Sequence, residues 1–135
     1  MAKLSDEERR AMMARFRGQD TKPEIAVRKA LHRHGRRFRL HSRRLPGKPD
    51  IVLAKDRTAV LVHGCFWHAH PGCPAARVPA SRPNYWPAKL AGNRARDARV
   101  AAELEALGWR VVVLWECEVK RGDLAPLLRQ HRLID

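Results

Sequence analysis

Pro49-Asp50-Ile51-Val52-Leu53-Ala54-Lys55-Asp56-Arg57-Thr58-Ala59-Val60-Leu61-Val62-His63 is the stretch that decides the fold. Two β-branched-rich runs flank the polar turn Lys55-Asp56-Arg57, the signature of a β-hairpin. With the turn centred on Asp56, Asp50 lies opposite Val62, to within one residue, and His63 and Gly64 follow at the strand end. A carboxylate on one strand end, beside the opened-out backbone of the next, makes a seat for a metal ion. On the N-terminal side, Arg37-Phe38-Arg39-Leu40-His41 alternates polar and apolar and reads as a half-buried strand. Before it, Thr21-Lys22-Pro23-Glu24 is a capping box with Pro23 at the first helical position. The helix it opens carries Ile25, Val27, Ala30 and Leu31 and stops near Gly35. Ser5-Asp6-Glu7-Glu8 is a second such box, for a first helix ending at about Arg15.

On the C-terminal side, Pro87 opens a long helix that ends at Gly108, with Leu90, Val100, Leu104 and Leu107 as its core stripe. Trp109 to Trp115 follows as a buried strand, and a strand–helix–strand passage of this length makes a parallel crossover. A short helix from about Leu124 closes the chain. The order α-α-β-β-β-α-β-α predicts an α/β fold: one domain over residues 1–135, a mixed central sheet flanked by helices.

Charge narrows the function. The 135 residues carry a formal +14, and 21 of the 28 basic residues are arginine, whose planar fork suits phosphate. Arg15 to Lys48 holds 12 basic residues against Asp20 and Glu24, so the charge is one-sided and predicts a polyanion-binding face; a solvated basic face is the plainer alternative. The longest uninterrupted apolar run, Val111 to Trp115, is five residues against the roughly 20 of a membrane span, and the N-terminus has no apolar signal core. A cytoplasmic protein with an anionic partner and no membrane partner is expected.

Residues 65–86 show no helix or strand pattern, yet hold Phe66, Trp67, Tyr85 and Trp86, half of the chain's aromatics. A loop of this length in a compact domain is usually functional. Aromatics beside a basic surface suit base stacking or insertion, or else they pack the loop onto the sheet. The same loop begins His63-Gly64-Cys65-Phe66-Trp67-His68-Ala69-His70-Pro71-Gly72-Cys73. Cys65, His70, Cys73 and the distant Cys117 make one Cys₃His set that uses every cysteine, as a closed zinc site would. His68 competes with His70 as the nitrogen ligand, and unrelated thiols and histidines are the alternative.

Asp50 is the sharpest acidic candidate, because Mg²⁺ takes one or two carboxylates with backbone oxygen and water, and phosphodiester hydrolysis uses such an ion. A plain strand-start aspartate is the alternative. His68 and His63 are candidates for the base that handles a proton near neutral pH. Glu24 reads first as the capping-box residue.

Thr21-Lys22-Pro23-Glu24, Leu45-Pro46-Gly47-Lys48-Pro49-Asp50, Val62-His63-Gly64-Cys65-Phe66-Trp67-His68, Asn93-Arg94-Ala95-Arg96-Asp97 and Leu107-Gly108-Trp109-Arg110-Val111 through Cys117 closely resemble the very short patch repair (Vsr) DNA mismatch endonucleases. The likeness runs in one order from about Met13 to Cys117. It implies a fold related to type II restriction endonucleases and a Mg²⁺-dependent nick 5′ of the thymine in T:G mismatches, which arise when 5-methylcytosine deaminates. The cut would leave a 5′-phosphate and a 3′-hydroxyl. By the same resemblance, Asp50 binds Mg²⁺, Val62 adds its backbone carbonyl, His68 is catalytic, His63 supports it and Glu24 stands by. Cys65, His70, Cys73 and Cys117 bind structural zinc. Phe66, Trp67 and Trp86 enter the duplex from the major groove and Met13 from the minor groove. Residues 1–20 become a DNA-contacting helix and loop, and 65–86 a zinc-tethered aromatic loop.

The chain departs from the family pattern in places. Val62 replaces a threonine, which leaves a carbonyl ligand intact, and Pro71-Gly72 lengthens the zinc loop. The chain ends at Asp135, so a longer C-terminal extension is not expected. The implied enzyme is a nucleoid-associated monomer on T:G-mismatched duplex, with mismatch-repair and DNA polymerase partners downstream. The rival readings are a restriction-like nuclease for another DNA sequence or structure, and a non-catalytic zinc-stabilised DNA-binding module.

Overall fold

The computed structural model describes residues 20–135. The first expected helix, and Met13 with it, lies outside the described residues. Among those described, the elements are α1 (Lys22–Arg33), β1 (Arg39–Leu40), β2 (Ile51–Leu53), β3 (Thr58–His63), α2 (Trp86–Ala106), β4 (Arg110–Trp115), α3 (Glu116–Val119) and α4 (Ala125–Gln130). The strands form one mixed sheet in the order β1-β2-β3-β4. β1, β2 and β3 pair antiparallel, and β3 and β4 pair parallel, as the crossover through α2 requires. The fold is the expected single α/β domain.

α1 begins as its sequence dictates: the Thr21 side chain accepts a hydrogen bond from the Glu24 N–H at 3.4 Å. Its apolar stripe, Val27, Ala30 and Leu31, is buried. Alternation along the strands then divides the sheet into two faces. Ile51, Leu53, Val60, Val62, Val112 and Leu114 join α1 and the C-terminal residues Val119, Leu124, Leu128, Leu133 and Ile134 in one core. The opposite face carries Leu61, His63, Val113 and Trp115 toward α2, where they share a cavity wall with Asp97, Ala98 and Ala101. His63 and Trp115 are neighbours in the β3–β4 ladder, so both side chains emerge at the strands' C-terminal ends on the α2 side.

Several local expectations are corrected. The hairpin pairs Ile51 with Val60 and Leu53 with Thr58, one residue from the expected register. Ala54–Asp56 forms a 3-10 turn and Arg57 takes a left-handed φ of 50°, so the connection centres between Lys55 and Asp56. β1 is two exposed residues, because His41 adopts a positive φ of 48° and ends the strand. Trp86, not Pro87, opens α2. Leu107 is 52 % exposed and outside the core, since it lies past the end of α2. β4 starts at the exposed Arg110 and then alternates between half-buried and buried positions, and α3 follows it directly.

Gly47 fixes how the loop before Asp50 meets α2. Its φ is +70°, and a Cβ there would sit 2.3 Å from Val100 Cγ1. Only glycine permits that approach, so the loop is pressed onto α2 and Pro49 is buried behind Asp50. No helix of the described residues is long and apolar enough to cross a membrane.

Candidate active site

The last two residues of β3 organise the site. Asp50 sits one residue before β2, where the β2–β3 ladder stops, and its Oδ2 accepts a hydrogen bond from the Val62 N–H at 2.7 Å. In an extended strand the carbonyl of a residue points to the same side as its N–H. The Val62 carbonyl is therefore directed to the side from which Asp50 approaches. The corrected register thus preserves the expected association of Asp50 with Val62, through the side chain.

Glu24, expected first as a capping residue, is buried and more heavily engaged than a cap requires. Its Oε2 accepts from the Asp20 N–H (3.0 Å) and from Arg28 Nη2 (3.0 Å), and lies 3.2 Å from His41 Nε2. Arg28 also reaches Asp20 Oδ1 at 2.7 Å. Burial pushes the Asp50 carboxyl up to about 7, and the nearby Glu24 carboxylate adds to the rise against the pull of the Val62 N–H. Two neighbouring carboxylates beside a backbone carbonyl, with only Glu24 directly paired to Arg28, are a hard oxygen donor set. That is the chemistry Mg²⁺ satisfies.

His63 begins the second half of the site. It is buried and stacks on His68, with ring centroids 3.8 Å apart. Burial, reinforced by His68, drives the His63 imidazole down to about 4. His68 is half-buried, and its Nδ1 lies 2.6 Å from Asp97 Oδ2. Asp97 comes from the middle of α2. With Nδ1 oriented by that carboxylate, Nε2 is the ring nitrogen left to exchange a proton. These residues line a cavity of about 290 Å³ that also meets Arg94 and Pro71.

Sequence reasoning assigned no role to Asp97, Asn93, His41 or Arg28. Trp86, Leu90, Asn93, Asp97, Ala101 and Leu104 follow helical spacing along α2, so Asn93 and Asp97 interrupt the inward face of an otherwise apolar stripe. Asn93 is buried and donates from Nδ2 to the Trp67 carbonyl at 2.9 Å. A polar side chain at a core position of a long helix was the available signal.

The aromatics gather beside this helix. Phe66 meets Trp67 and Trp86 edge-on at 5.0 and 5.3 Å, and Trp67 lies 6.0 Å from Trp86. Phe66 and Trp67 are half-buried and Trp86 is 7 % exposed. Tyr85 packs on Trp86 and stays exposed, with Arg82 over its ring.

Cys65, His70, Cys73 and Cys117 converge, their ligand atoms all within 4.8 Å of one another. A tetrahedron with metal–sulfur bonds of about 2.3 Å has edges just under 4 Å, so the cluster fits zinc, and three thiols with an imidazole are zinc's donors rather than magnesium's. His70, not His68, joins the cluster, which resolves the choice between them. Burial pushes the Cys65 thiol up to about 12, and the neighbouring thiols add to it, so a cation is needed to hold thiolate there. The cluster ties the start of the aromatic loop to the residue two places beyond β4.

Comparison with known proteins agrees with the geometry. The family profile of DNA mismatch endonuclease Vsr matches residues 1–73. The chain is 53 % identical to the type II nicking enzyme V.XorIIP of Xanthomonas oryzae, over 98 % of this chain and 95 % of that protein. It is 44 % identical to the type II nicking enzyme V.NmeAIP of Neisseria meningitidis, over 81 % and 77 % respectively. It is 38 % identical to the DNA mismatch endonuclease Vsr of Escherichia coli, over 89 % and 77 %.

Proposed function

Since the chain belongs to the Vsr family of DNA mismatch endonucleases, we propose that it nicks one strand of duplex DNA on the 5′ side of the thymine in a T:G mismatch, in a Mg²⁺-dependent reaction. The observation that carries this reading is the pairing of Asp50 with the Val62 backbone, one residue from the stacked His63–His68 pair and its Asp97.

Asp50 and the Val62 carbonyl are the residues that would hold Mg²⁺, with Glu24 beside them. When bound, Mg²⁺ supplies positive charge to the scissile phosphate and the leaving 3′ oxygen. His68 accepts a proton from the attacking water through Nε2, and Asp97 stabilises the imidazolium that results. His63 stays neutral and holds the plane of His68. Water adds to phosphorus as the bond to the 3′ oxygen breaks, the departing 3′ alkoxide takes a proton from solvent, and the products are a 5′-phosphate and a 3′-hydroxyl.

Phe66 and Trp67, backed by the buried Trp86, act as a wedge from the major groove, with Met13 entering from the minor groove. A T:G pair stacks less well than a normal pair, so separating it from its neighbours costs less, and insertion turns that difference into selectivity. The basic segment from Arg15 to Lys48 supplies phosphate contacts that position the duplex. Zinc at the Cys₃His cluster holds the loop 65–86 against the sheet within a single domain. The protein acts as a monomer on chromosomal DNA in the cytoplasm and hands the nick to repair proteins and a polymerase.

The test is a duplex carrying one T:G pair, incubated with Mg²⁺ or with EDTA, using the natural protein and Asp50→Asn. Nicking by the natural protein in Mg²⁺ alone supports the reading. Equal nicking in EDTA, or by Asp50→Asn, overturns it.

A further inference from the structure

The Cys₃His cluster and the His63–His68–Asp97 set are joined by a line of ring contacts. The His70 Nδ1 lies 3.5 Å from Cys117 Sγ inside the Cys₃His cluster. The His70 ring stacks on Trp115, with centroids 4.0 Å apart and planes 8° from parallel. Trp115 meets His63 edge-on at 5.3 Å, and His63 stacks on His68. Asp97 closes the line at His68 Nδ1.

Trp115 is also tied to the cluster through the backbone. It is the last residue of β4, two places before Cys117, and its N–H donates to Glu118 Oε1 at 3.1 Å. The Cys117 N–H in turn donates to Cys65 Sγ at 3.4 Å. On its other side Trp115 is the ladder partner of His63. A histidine that ligates a metal has its ring plane fixed by the coordination geometry. Stacked rings in contact cannot tilt independently, so fixing His70 fixes Trp115, Trp115 sets the wall that His63 meets edge-on, and His68 stacks on His63.

The geometry points to Trp115 as a positioning residue that transmits the state of the Cys₃His centre to the His63–His68 pair, so that zinc governs the chemical step as well as the fold. This rests on the reading of His68 as the proton acceptor in nicking. A cluster that only staples the loop to the sheet would leave the imidazole pair indifferent to the ring that fills position 70.

His70→Cys separates the two roles. It completes a Cys₄ set, a standard structural zinc site, while deleting the ring stacked on Trp115. Zinc content and melting temperature report the staple. The imidazole NMR resonances of His68, which is not a neighbour of position 70 in this line, report the geometry of the pair without any activity assay. Nicking at saturating mismatched duplex, set against duplex affinity, reports the chemical step.

With one zinc per chain retained, His70→Cys is expected to shift the His68 resonances. It is also expected to slow nicking by about tenfold to a hundredfold with affinity unchanged, the scale of a small misplacement. Trp115→Leu, which keeps all four ligands, is expected to do the same, and it decides the matter if His70→Cys fails to fold. Unmoved His68 resonances in a folded, zinc-loaded variant overturn the coupling. If the natural protein nicks nothing, the reading of the site fails, while the resonance shifts still decide whether the two centres are linked.

Discussion

His63 and His68 lie face to face, with planes 4° from parallel and ring centroids 3.8 Å apart. Two imidazoles in that contact cannot both carry charge cheaply. Burial settles which one stays neutral, because His63 is driven down to about 4 while the half-buried His68 has Asp97 at its Nδ1. In the proposed mechanism the proton-handling role is therefore given to His68, with His63 as its neutral support.

Under the proposed mechanism, nicking is expected to require Asp50 and His68, whereas holding the duplex is not. His68→Ala should slow nicking by about 10²–10⁴-fold, the usual contribution of a positioned acid–base group. Asp50→Ala should be at least as severe, since it removes a metal ligand. Both variants should shift mismatched duplex in a gel as well as the natural protein does. Near-normal nicking by either one contradicts its assigned role.

His63 gives the fold a pH dependence with a definite sign. Its ordinary value is 6.5 and its folded value about 4, so between these the unfolded chain binds a proton that the folded protein refuses. Stability from this group is present above pH 6.5 and is lost as pH falls toward 4, by a few kcal/mol in total. His63→Gln removes the titration. Its melting temperature should fall less between these pH values than that of the natural protein. Parallel melting curves would contradict the burial argument.

One zinc should copurify with each chain, separate from Mg²⁺. Cys117 joins the loop to the end of β4, so Cys117→Ser should lose the metal and lower the melting temperature by many degrees. Elemental analysis and thermal melting on the same sample check both halves. An active, freshly purified sample without zinc would refute the assignment.

Trp67 is half-buried among Phe66 and Trp86, so its truncation should cost less than the roughly 3–5 kcal/mol of a fully buried tryptophan. Trp67→Ala should reduce nicking of the mismatch far more than it weakens non-specific binding. A sharp drop in melting temperature, with full mismatch selectivity in the folded remainder, would make Trp67 a packing residue and not a wedge.

Much of this architecture was legible from residue pattern. The Thr21 cap, the hairpin, the parallel return through α2 and the Cys₃His set each rest on local chemistry that tertiary contacts reinforce. The hairpin register slipped because Arg57 takes a left-handed conformation that joins it to the turn, and arginine carries no signal for that. β1 shrank because His41 bends the chain back, for the same reason. Asp97 and Asn93 are not legible in that way, because leucine and valine alone mark the inward stripe of α2 in the residue pattern. The helix in fact turns two polar side chains inward, toward His68 and the Trp67 carbonyl. Glu24 looked like a cap because its spacing suits one. Only the fold brings Arg28 and His41 to its other side.

The proposed function stands on selection of a T:G mispair and a cut beside it. The most direct measurement compares single-turnover nicking of two duplexes identical except for one T:G or one T:A pair, in Mg²⁺, with the cut mapped to the nucleotide. A single nick 5′ of the mispaired thymine is expected, with a 5′-phosphate end and little cutting of the matched duplex. Equal cutting of both duplexes, or a cut at a site unrelated to the mismatch, would contradict it.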